Sequence, residues 1–351
     1  MEPCLYTRIQ RWRTTKATTL FRLFILFSLT SFCSGTFWNY NNENKPALVQ
    51  AHEARGRRVQ LRDGTLVFVR DEGYDPSVMD QKTVVMVHGV PSSSLLYRNF
   101  FDPLVQNGYR AVAFDLPGLG LSDKPSSNSG RNYYSWPALA VTVGEILHHP
   151  DLELFPHPNS QIHLVVHDIG GPIAALYAAD NIDKVHSMTI LDTIFDIVSF
   201  HPPFPMYFFP PILIGDIYMK KLTPFLFRQF MFLSGGVQDK SAFSREEAQA
   251  WVWLLKSNGG ADSFLEIMRS FPSTKQSKMK LTKKIETVLG EQAQLPMHIV
   301  WAKEDVAIPK SQRKYIRDNF DVERIQTVPG GHFYHLESPE QIIEKIIRYL
   351  E

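Results

Sequence analysis

Two hydrophobic patterns alternate along the chain from about residue 57 to its end. Short continuous apolar runs that stop at a glycine or an acid are typical of strands buried on both faces of a sheet, and apolar residues spaced three or four positions apart are typical of helices. The regular alternation of the two patterns predicts an α/β fold, in which a mostly parallel sheet carries helices on both faces. The apolar runs that predict strands are "TVVMVHG" (83–89), "YRAVAFDLPG" (109–118), "QIHLVVHD" (161–168), "KVHSMTILDT" (184–193), "PMHIVWAKED" (296–305) and "VERIQTVPGG" (322–331).

A different pattern precedes the first of these runs. Apolar and polar residues alternate on either side of Asp63-Gly64, a dipeptide that tolerates the positive φ of a tight turn. Residues 57–73 are therefore predicted to form an antiparallel hairpin at the start of the sheet.

The alternation of strand and helix patterns is interrupted between residues 195 and 292. This segment opens with the proline-rich stretch "FHPPFPMYFFPP", which suits neither a strand nor a regular helix, and continues with aromatic helical patterns. One of these begins at Ser244, and Glu247 three positions later predicts a capping box. We expect a helical insertion that interrupts an α/β core. The predicted division is a first core part at 57–194, an insertion at 195–292 and a second core part at 293–351.

The first forty residues have the composition of a targeting segment. Several basic residues precede an apolar run from Leu20 to Phe32, and the only acid before Glu43 is Glu2. The run is shorter than the roughly 20 residues that span a bilayer, so a signal peptide or signal anchor is predicted for 1–40. That implies the secretory pathway or the endoplasmic reticulum membrane, with membrane association through this segment. The alternative is a transit peptide for a chloroplast or mitochondrion. Residues 41–56 are predicted to be a polar linker.

Charge and cysteine content exclude several classes of partner. The 351 residues include 37 basic and 36 acidic side chains, so no strong overall field favours nucleic acid. The chain has two cysteines, Cys4 and Cys33, and both precede the predicted core. A disulfide framework or a cysteine metal site in the core is therefore not expected, and the composition leaves the oligomeric state open.

The residues that follow the predicted strands carry the candidate chemistry. In an open parallel sheet, ligands bind outside the carboxyl ends of the strands. The chain order of an aspartate at a strand-to-helix turn, a later acid and a final histidine is that of the α/β-hydrolase fold. Where that fold usually has a G-x-S-x-G turn, this chain has "VHDIG" (166–170), with Asp168 in the place of the serine. Other polar strand-end residues are His88, Asp115, Asp192, Asp305 and His332.

Five ordered motifs resemble the α/β-hydrolase superfamily. They are most similar to its aspartate-nucleophile branch, which contains epoxide hydrolases, haloalkane and haloacetate dehalogenases and mesoderm-specific-transcript-type proteins. The resemblance implies an eight-stranded, mostly parallel sheet, a helical cap formed by the insertion, and hydrolase activity without a cofactor or metal. The motifs are "HGVPSS", "FDLPGLGLSDKP", "HDIGGPIAALYA", "AKEDVAIP" and "GGHFYHLESPE".

The same resemblance implies roles for individual residues. Asp168 would be a nucleophile that forms an ester with the substrate, and His332 would be the base that activates water to cleave it. Asp305 would be the acid behind the histidine, and Asp192 is its rival, since some relatives carry the acid after that strand. An aspartate before a helix can also be a simple N-cap, which is the structural alternative for Asp168. The backbone N–H groups of Val90 and Ile169 would form the oxyanion hole.

Departures from the family pattern limit what can be said about the substrate. Dehalogenases usually bind the leaving halide with a tryptophan and an asparagine at the positions of Ile169 and Val90, whose side chains donate no hydrogen bond. Epoxide hydrolases activate the epoxide oxygen with two cap tyrosines, and the insertion contains only Tyr207 and Tyr218. These tyrosines are predicted to contact substrate, as is His88, which is also expected to order the loop around Val90.

Three hypotheses remain open from the sequence. The first is an epoxide-hydrolase-like enzyme, or a dehalogenase-like enzyme of the same branch, that acts with water on a small apolar substrate. The second is an ester or lipid hydrolase, or an acyltransferase, on the same fold. The third is a binding protein that has kept the pocket and lost turnover, although a pure binding site has no need of Asp168, Asp305 and His332 together.

Overall fold

The computed structural model describes residues 40, 44–78, 80–126, 132–202, 206, 209–290, 295–320, 322 and 325–351. Almost all of the predicted targeting segment and Tyr207 lie outside these residues. Within them, no helix is both long enough and apolar enough to cross a bilayer.

The core is an eight-stranded sheet in the order β1-β2-β4-β3-β5-β6-β7-β8. β2 runs antiparallel to both of its neighbours, and the remaining pairs are parallel. This confirms the predicted α/β class and the hairpin, whose Gly64 has a φ of +89°. The strands are β1 (Arg57–Gln60), β2 (Leu66–Glu72), β3 (Thr83–Val87), β4 (Arg110–Phe114), β5 (Ile162–Asp168), β6 (Val185–Thr193), β7 (Met297–Ala302) and β8 (Ile325–Val328).

Eleven α-helices occur in the described part of the chain. The helices that follow the parallel strands bury an apolar face against the sheet, as in α11, where Ile342, Ile343 and Ile346 are buried. The helices are α1 (Ala47–Glu53), α2 (Phe101–Gln106), α3 (Trp136–Leu147), α4 (Gly170–Asp180), α5 (Ile214–Lys221), α6 (Pro224–Leu233), α7 (Arg245–Lys256), α8 (Gly260–Arg269), α9 (Lys275–Leu289), α10 (Lys310–Asn319) and α11 (Pro339–Leu350).

The predicted polar linker at 41–56 contains a helix instead. α1 buries Val49 and His52, and the His52 Nε2 atom lies 2.9 Å from the Ser94 hydroxyl of the core. α1 also packs against α7 of the insertion. The prediction was wrong because two buried positions in a seven-residue helix produce too short an apolar period to recognise.

The described part of residues 195–292 contains α5 to α9, and the last of these helices packs against the core. α9 packs against the core helix α4, and Lys284 makes a 2.7 Å ion pair with Asp180 there. We therefore use the term cap for α5 to α8 only. The predicted capping box at the start of α7 is half formed. The Ser244 hydroxyl accepts a hydrogen bond from Glu247 N–H, whereas the Glu247 carboxylate binds residues outside the box.

Candidate active site

A sharp turn places Asp168 at the carboxyl end of β5. Asp168 has a φ of +52°, a region that residues with a Cβ rarely adopt, and α4 begins two residues later. The turn needs two glycines, because a Cβ on Gly170 would lie 2.4 Å from the Val87 carbonyl oxygen and one on Gly171 would lie 1.8 Å from Thr193 Oγ1. Asp168 is therefore not an N-cap in ordinary geometry, but a side chain held above the sheet edge by a strained turn.

The Asp168 carboxylate is held by backbone N–H groups. Val90 N–H, in the loop after β3, donates to Oδ1 over 2.9 Å, and Ile169 N–H also donates to the carboxylate. Gly89 permits this approach, since a Cβ there would lie 2.3 Å from Oδ1. The Ile169 side chain is fully buried in the core, so this residue offers the carboxylate only its N–H group. The two predicted oxyanion-hole donors thus meet at the same side chain.

The other oxygen of Asp168 faces a histidine. His332 Nε2 lies 3.6 Å from Asp168 Oδ2, and its Nδ1 lies 2.9 Å from Asp305 Oδ2. Asp305 is fixed in turn by hydrogen bonds from Ala307 N–H at 2.6 Å and Ile308 N–H at 3.1 Å to its Oδ1. Three residues that are 27 to 164 positions apart in the chain therefore form one continuous line of contacts.

Asp192, the rival acid, lies beside this line and not in it. Its carboxyl accepts a hydrogen bond from Ala302 N–H, at 3.0 and 3.2 Å from its two oxygens, and contacts the Asp305 carboxyl. The His332 Nδ1 atom is hydrogen-bonded to Asp305. The structure thus gives the position behind the histidine to Asp305.

Burial and mutual contact shift the acid–base properties of these groups. Burial raises the pKa of the Asp168 carboxyl, although His332 and the two N–H donors act in the opposite direction. Burial alone would lower the pKa of His332, but the neighbouring Asp305 and Asp168 carboxylates outweigh it and the pKa is raised. Burial would also raise the pKa of Asp305, but its contacts, above all with His332, leave that pKa below its ordinary value. The arrangement favours an ionised Asp305 next to a readily protonated histidine.

The cavity in front of Asp168 and His332 has apolar walls. Among the described residues that line it, the insertion contributes one hydroxyl, that of Ser234, and this group already lies 3.5 Å from the Met231 carbonyl oxygen. The other wall residues of the insertion whose side chains face the cavity are Phe200, Pro202, Met206, Phe230, Met231 and Phe271. Walls of this kind favour an apolar ligand.

Two sets of contacts join the cap to the reactive edge of the sheet. Arg98 of the core donates to both oxygens of Glu247 on α7, at 3.1 and 2.9 Å, and Trp251 Nε1–H donates to the same carboxylate. Next to the histidine, Phe333 N–H donates to the Gly236 carbonyl over 2.8 Å. The wall of the cavity is therefore tied directly to the loop that carries His332.

Sequence comparison identifies the family of the chain. The sequence model of the Alpha/beta hydrolase family matches residues 84–345. The chain belongs to the alpha/beta hydrolase family. It is 25% identical over 299 residues to a cis-3-alkyl-4-alkyloxetan-2-one decarboxylase of Xanthomonas campestris pv. campestris, covering 83% of this chain and 94% of that protein.

Solved structures of α/β-hydrolases share the fold. The epoxide hydrolase CorEH superimposes with a TM-score of 0.65 at 20% identity, over 84% of this chain and 97% of that one. The haloalkane dehalogenase DbeA of Bradyrhizobium elkani has a TM-score of 0.68 at 18% identity, over 84% and 96% of the two chains. The α/β-hydrolase fold expected from the five motifs is confirmed, and the identities are too low to carry a substrate across.

Two residues predicted to contact substrate lie elsewhere in this α/β-hydrolase. His88 is fully buried; its Nδ1 faces the Gly89 carbonyl at 2.8 Å and its Nε2 accepts from Leu116 N–H at 3.0 Å. Both ring nitrogens are thus engaged with backbone, and His88 orders the loop that carries Val90 instead of facing the cavity. Tyr218 packs edge-on against Phe209 and Phe230, so that Phe230 and not Tyr218 lines the cavity.

Sequence reasoning missed several residues of the α/β-hydrolase site. Thr193 Oγ1–H donates to the Asp168 carbonyl over 2.5 Å and closes the back of the turn. The sequence feature that could have identified Thr193 is its position at the end of β6, directly after Asp192. Ser234 and the Arg98–Glu247 pair had no signal in the local pattern, because their importance comes from contacts between the insertion and the core.

Proposed function

We propose that this protein is a hydrolase that uses Asp168 as a covalent nucleophile on a small, mostly apolar substrate. The observation that carries the proposal is that the two oxygens of the Asp168 carboxylate have different contacts. Oδ1 accepts a hydrogen bond from Val90 N–H, whereas Oδ2 lies 3.6 Å from His332 Nε2, and Asp168 lines the cavity. A carboxylate needs to lose no proton before it attacks, unlike a serine.

The first step forms an ester between enzyme and substrate. Oδ2 attacks a saturated carbon, a carbon–oxygen bond to Asp168 forms, and the bond from that carbon to its leaving group breaks. Oδ1 then becomes the ester carbonyl oxygen; it already accepts a hydrogen bond from Val90 N–H, and Ile169 N–H donates to the same carboxylate. Charge that develops on this oxygen later in the reaction meets a site that is preorganised for it.

The second step releases the product with water. His332 Nε2 takes a proton from water, and the resulting hydroxide attacks Cγ of Asp168 to give a tetrahedral oxyanion at Oδ1. Asp305, 2.9 Å from His332 Nδ1, stabilises the imidazolium that forms. Collapse of the oxyanion expels the product alkoxide, which regains a proton from His332. One oxygen of water therefore remains in the Asp168 carboxylate after each turnover.

An epoxide is the substrate class that we place first. A strained ring oxygen is a leaving group attached to saturated carbon, and the apolar walls suit an alkyl-substituted epoxide. Ring opening produces an alkoxide that needs a hydrogen-bond donor. Tyr207 lies outside the described residues and stays the candidate donor from the sequence.

A four-membered cyclic ester is the second candidate. It is favoured by the relative named as an oxetan-2-one decarboxylase and by a cavity whose described lining has Ser234 as its only hydroxyl from the insertion. Opening of such a ring at its alkyl carbon releases a carboxylate, which needs no donor to leave. A lining poor in donors is compatible with that leaving group.

Isotope labelling tests the covalent step. The full chain is incubated in heavy-oxygen water with long-chain terminal epoxides, cis-dialkyl oxetan-2-ones and haloalkanes, and the peptide that contains Asp168 is analysed by mass spectrometry. We expect heavy oxygen in Asp168 after many turnovers, and an alkyl ester on Asp168 in His332→Ala. His157→Ala, at an exposed histidine, is the matched control and should resemble wild type.

The outcomes distinguish the candidates. Label with epoxides that disappears in Tyr207→Phe supports the epoxide hydrolase, and label with oxetan-2-ones that survives in Tyr207→Phe supports the cyclic ester. Turnover in which heavy oxygen enters only the product contradicts a covalent role for Asp168. Absence of turnover, label and trapped ester with every compound contradicts the proposal and favours a binding protein.

A further inference from the structure

Two acidic side chains meet behind His332, although the proposed chemistry needs only one. The Asp192 and Asp305 carboxyls are in hydrogen-bond contact, and both have an oxygen within 4.8 Å of a His332 ring nitrogen. Asp192 is fully buried, and the Asp305 side chain has no exposed surface. Two carboxyl groups in such contact cannot both be ionised at low cost, so one proton is shared between them or held by one of them.

The backbone of β6 is deformed at Asp192. His167 of β5 pairs with Leu191, whereas the next residue, Asp168, pairs with Thr193, so Asp192 is an extra residue in the strand. Its φ of +36° lies in the left-handed region. Bulges of this kind redirect a side chain, and strained non-glycine residues persist where the surroundings hold them in place. Here the deformation directs the Asp192 carboxyl to the end of β7, where it meets Ala302 N–H and Asp305.

The other contacts decide which acid carries the proton. Asp305 accepts hydrogen bonds from two backbone N–H groups, those of Ala307 and Ile308, and contacts the His332 ring. Asp192 accepts one backbone N–H bond, from Ala302, and Arg313 acts on it only through its charge. Because Asp305 has more partners that favour an ionised carboxylate, the neutral acid is Asp192.

We propose that Asp192 is a positioning residue that carries a proton and donates this hydrogen to Asp305, so that the Asp305 carboxylate stays directed at His332. The proposal relies on the proposed function for the role of His332 as base. Asp192, the rival candidate for the acid behind His332, thus becomes a hydrogen-bond partner of Asp305. A neutral donor fixes the orientation of Asp305 without adding a second negative charge beside the histidine.

The acid–base properties of the surroundings agree with this assignment. Burial, and then the neighbouring Asp305, raise the pKa of Asp192 well above its ordinary value. The nearby Tyr334 hydroxyl donates to the Val300 carbonyl over 2.7 Å, so this hydrogen is already used. Burial, and then Asp192 and Asp305, raise the pKa of Tyr334, which stays neutral as well. The charged groups that act on the pair include Arg313, the Asp168 carboxylate and, when protonated, His332.

Infrared spectroscopy tests the protonation state without a substrate. Asp192→Asn can keep both contacts, because its amide oxygen can accept from Ala302 N–H and its NH₂ group can donate to Asp305. At neutral pH, the wild-type minus Asp192→Asn difference spectrum should contain the carbonyl stretch of a protonated carboxylic acid. Loss of an ionised-carboxylate band instead would overturn the proposal. This result does not depend on whether the enzyme turns over any of the compounds above.

Kinetics test the positioning role. Asp192→Ala removes a hydrogen bond to a charged group, which is worth about 10- to 100-fold in rate if it acts fully on one step. Because Asp305 assists only the hydrolysis of the ester, we expect kcat and KM to fall together, with kcat/KM nearly unchanged. Asp192→Asn should restore kcat to within about 3-fold of wild type.

Each kinetic result counts for or against the proposal. A lower kcat/KM in Asp192→Ala, with kcat and KM not falling together, would mean a merely structural role. An Asp192→Asn variant as slow as Asp192→Ala would mean that Asp192 acts as an ionised acid, and both results reject a neutral donor. Circular dichroism melting of both variants identifies any unfolding, and the infrared result on the folded Asp192→Asn protein then decides the question.

Discussion

The sheet edge and the insertion contribute opposite kinds of residue to the same cavity. The carboxyl ends of the parallel strands, with the loops that follow them, provide the charged and hydrogen-bonding groups, Asp168, Asp305, His332 and the Val90 N–H. The insertion contributes mainly aromatic and aliphatic walls. Under the proposed function, the sheet edge therefore sets the type of reaction, whereas the choice of leaving group depends on the insertion. Four predictions test this division, from the largest effect to the smallest.

Removal of the carboxylate at the sheet edge should have the largest effect. Asp168→Ala is expected to lose turnover on the order of 10⁴-fold or more, as when a member of a catalytic unit is removed. The measurement is kcat on the best substrate of the labelling panel. Asp183→Ala is the control, because its side chain is 72% exposed and it should retain wild-type kcat. Comparable losses in the two variants would contradict an assignment of the reaction to the sheet edge.

The pH profile should also report the sheet edge. His332 must be neutral to accept a proton, and the Asp305 carboxylate, which stays charged when Asp168 is an ester, raises the pKa of His332 against the opposing effect of burial. Activity should therefore fall as the pH drops through a midpoint above the ordinary histidine value of about 6.5, by about tenfold per pH unit below it. In Asp305→Asn the residual activity should have a lower midpoint, since a charge that raises the histidine pKa is gone. A wild-type midpoint at or below that ordinary value contradicts this electrostatic account.

Loosening the cap should change binding more than chemistry. Arg98→Ala removes the charged partner of the buried Glu247, which we expect to cost about 2 kcal/mol of unfolding free energy. Because the chemical groups stay in place, KM should rise by a larger factor than kcat falls. Urea denaturation and steady-state kinetics measure the two quantities. An effect on kcat alone would show that the cap takes part in the chemical steps.

The smallest effect is expected behind the turn at Asp168. Thr193→Val keeps the shape of the side chain but removes the hydrogen bond to the Asp168 carbonyl, at a cost of about 1 kcal/mol in stability. Activity should change by only a few-fold, because Gly170 and Gly171 still permit the turn. Thermal unfolding and kcat check this, and a loss approaching that of Asp168→Ala would show that the hydroxyl holds the carboxylate in position.

Short-range patterns predicted most of the core. The apolar runs that end at Gly89, Asp168 and Thr193 became β3, β5 and β6, because strands covered on both faces must be apolar throughout. The predictions failed where burial came from distant partners. α1 was taken for a linker since its buried face rests on the insertion and the core, and α9 was assigned to the insertion although it packs against α4.

The candidate site divides in the same way. Asp168, Asp305 and His332 were predictable, because parallel strands bring their carboxyl ends to one edge and the family motifs mark those positions. His88 and Tyr218 were expected at the substrate but have their contacts elsewhere. Residue type alone does not show which of several buried histidines or tyrosines faces a cavity, since that depends on neighbours far away in the chain.

Residue order and hydrophobic period thus determine the strands, most of the helices and the edge at which the reactive groups collect, because these depend on neighbours a few positions apart. Only the tertiary structure decides that Asp305 contacts the histidine while Asp192 contacts Asp305, and that Ile169 offers its N–H group and not its side chain. The physical reason is that hydrogen-bond partners and desolvation are set by the packing of segments more than a hundred residues apart.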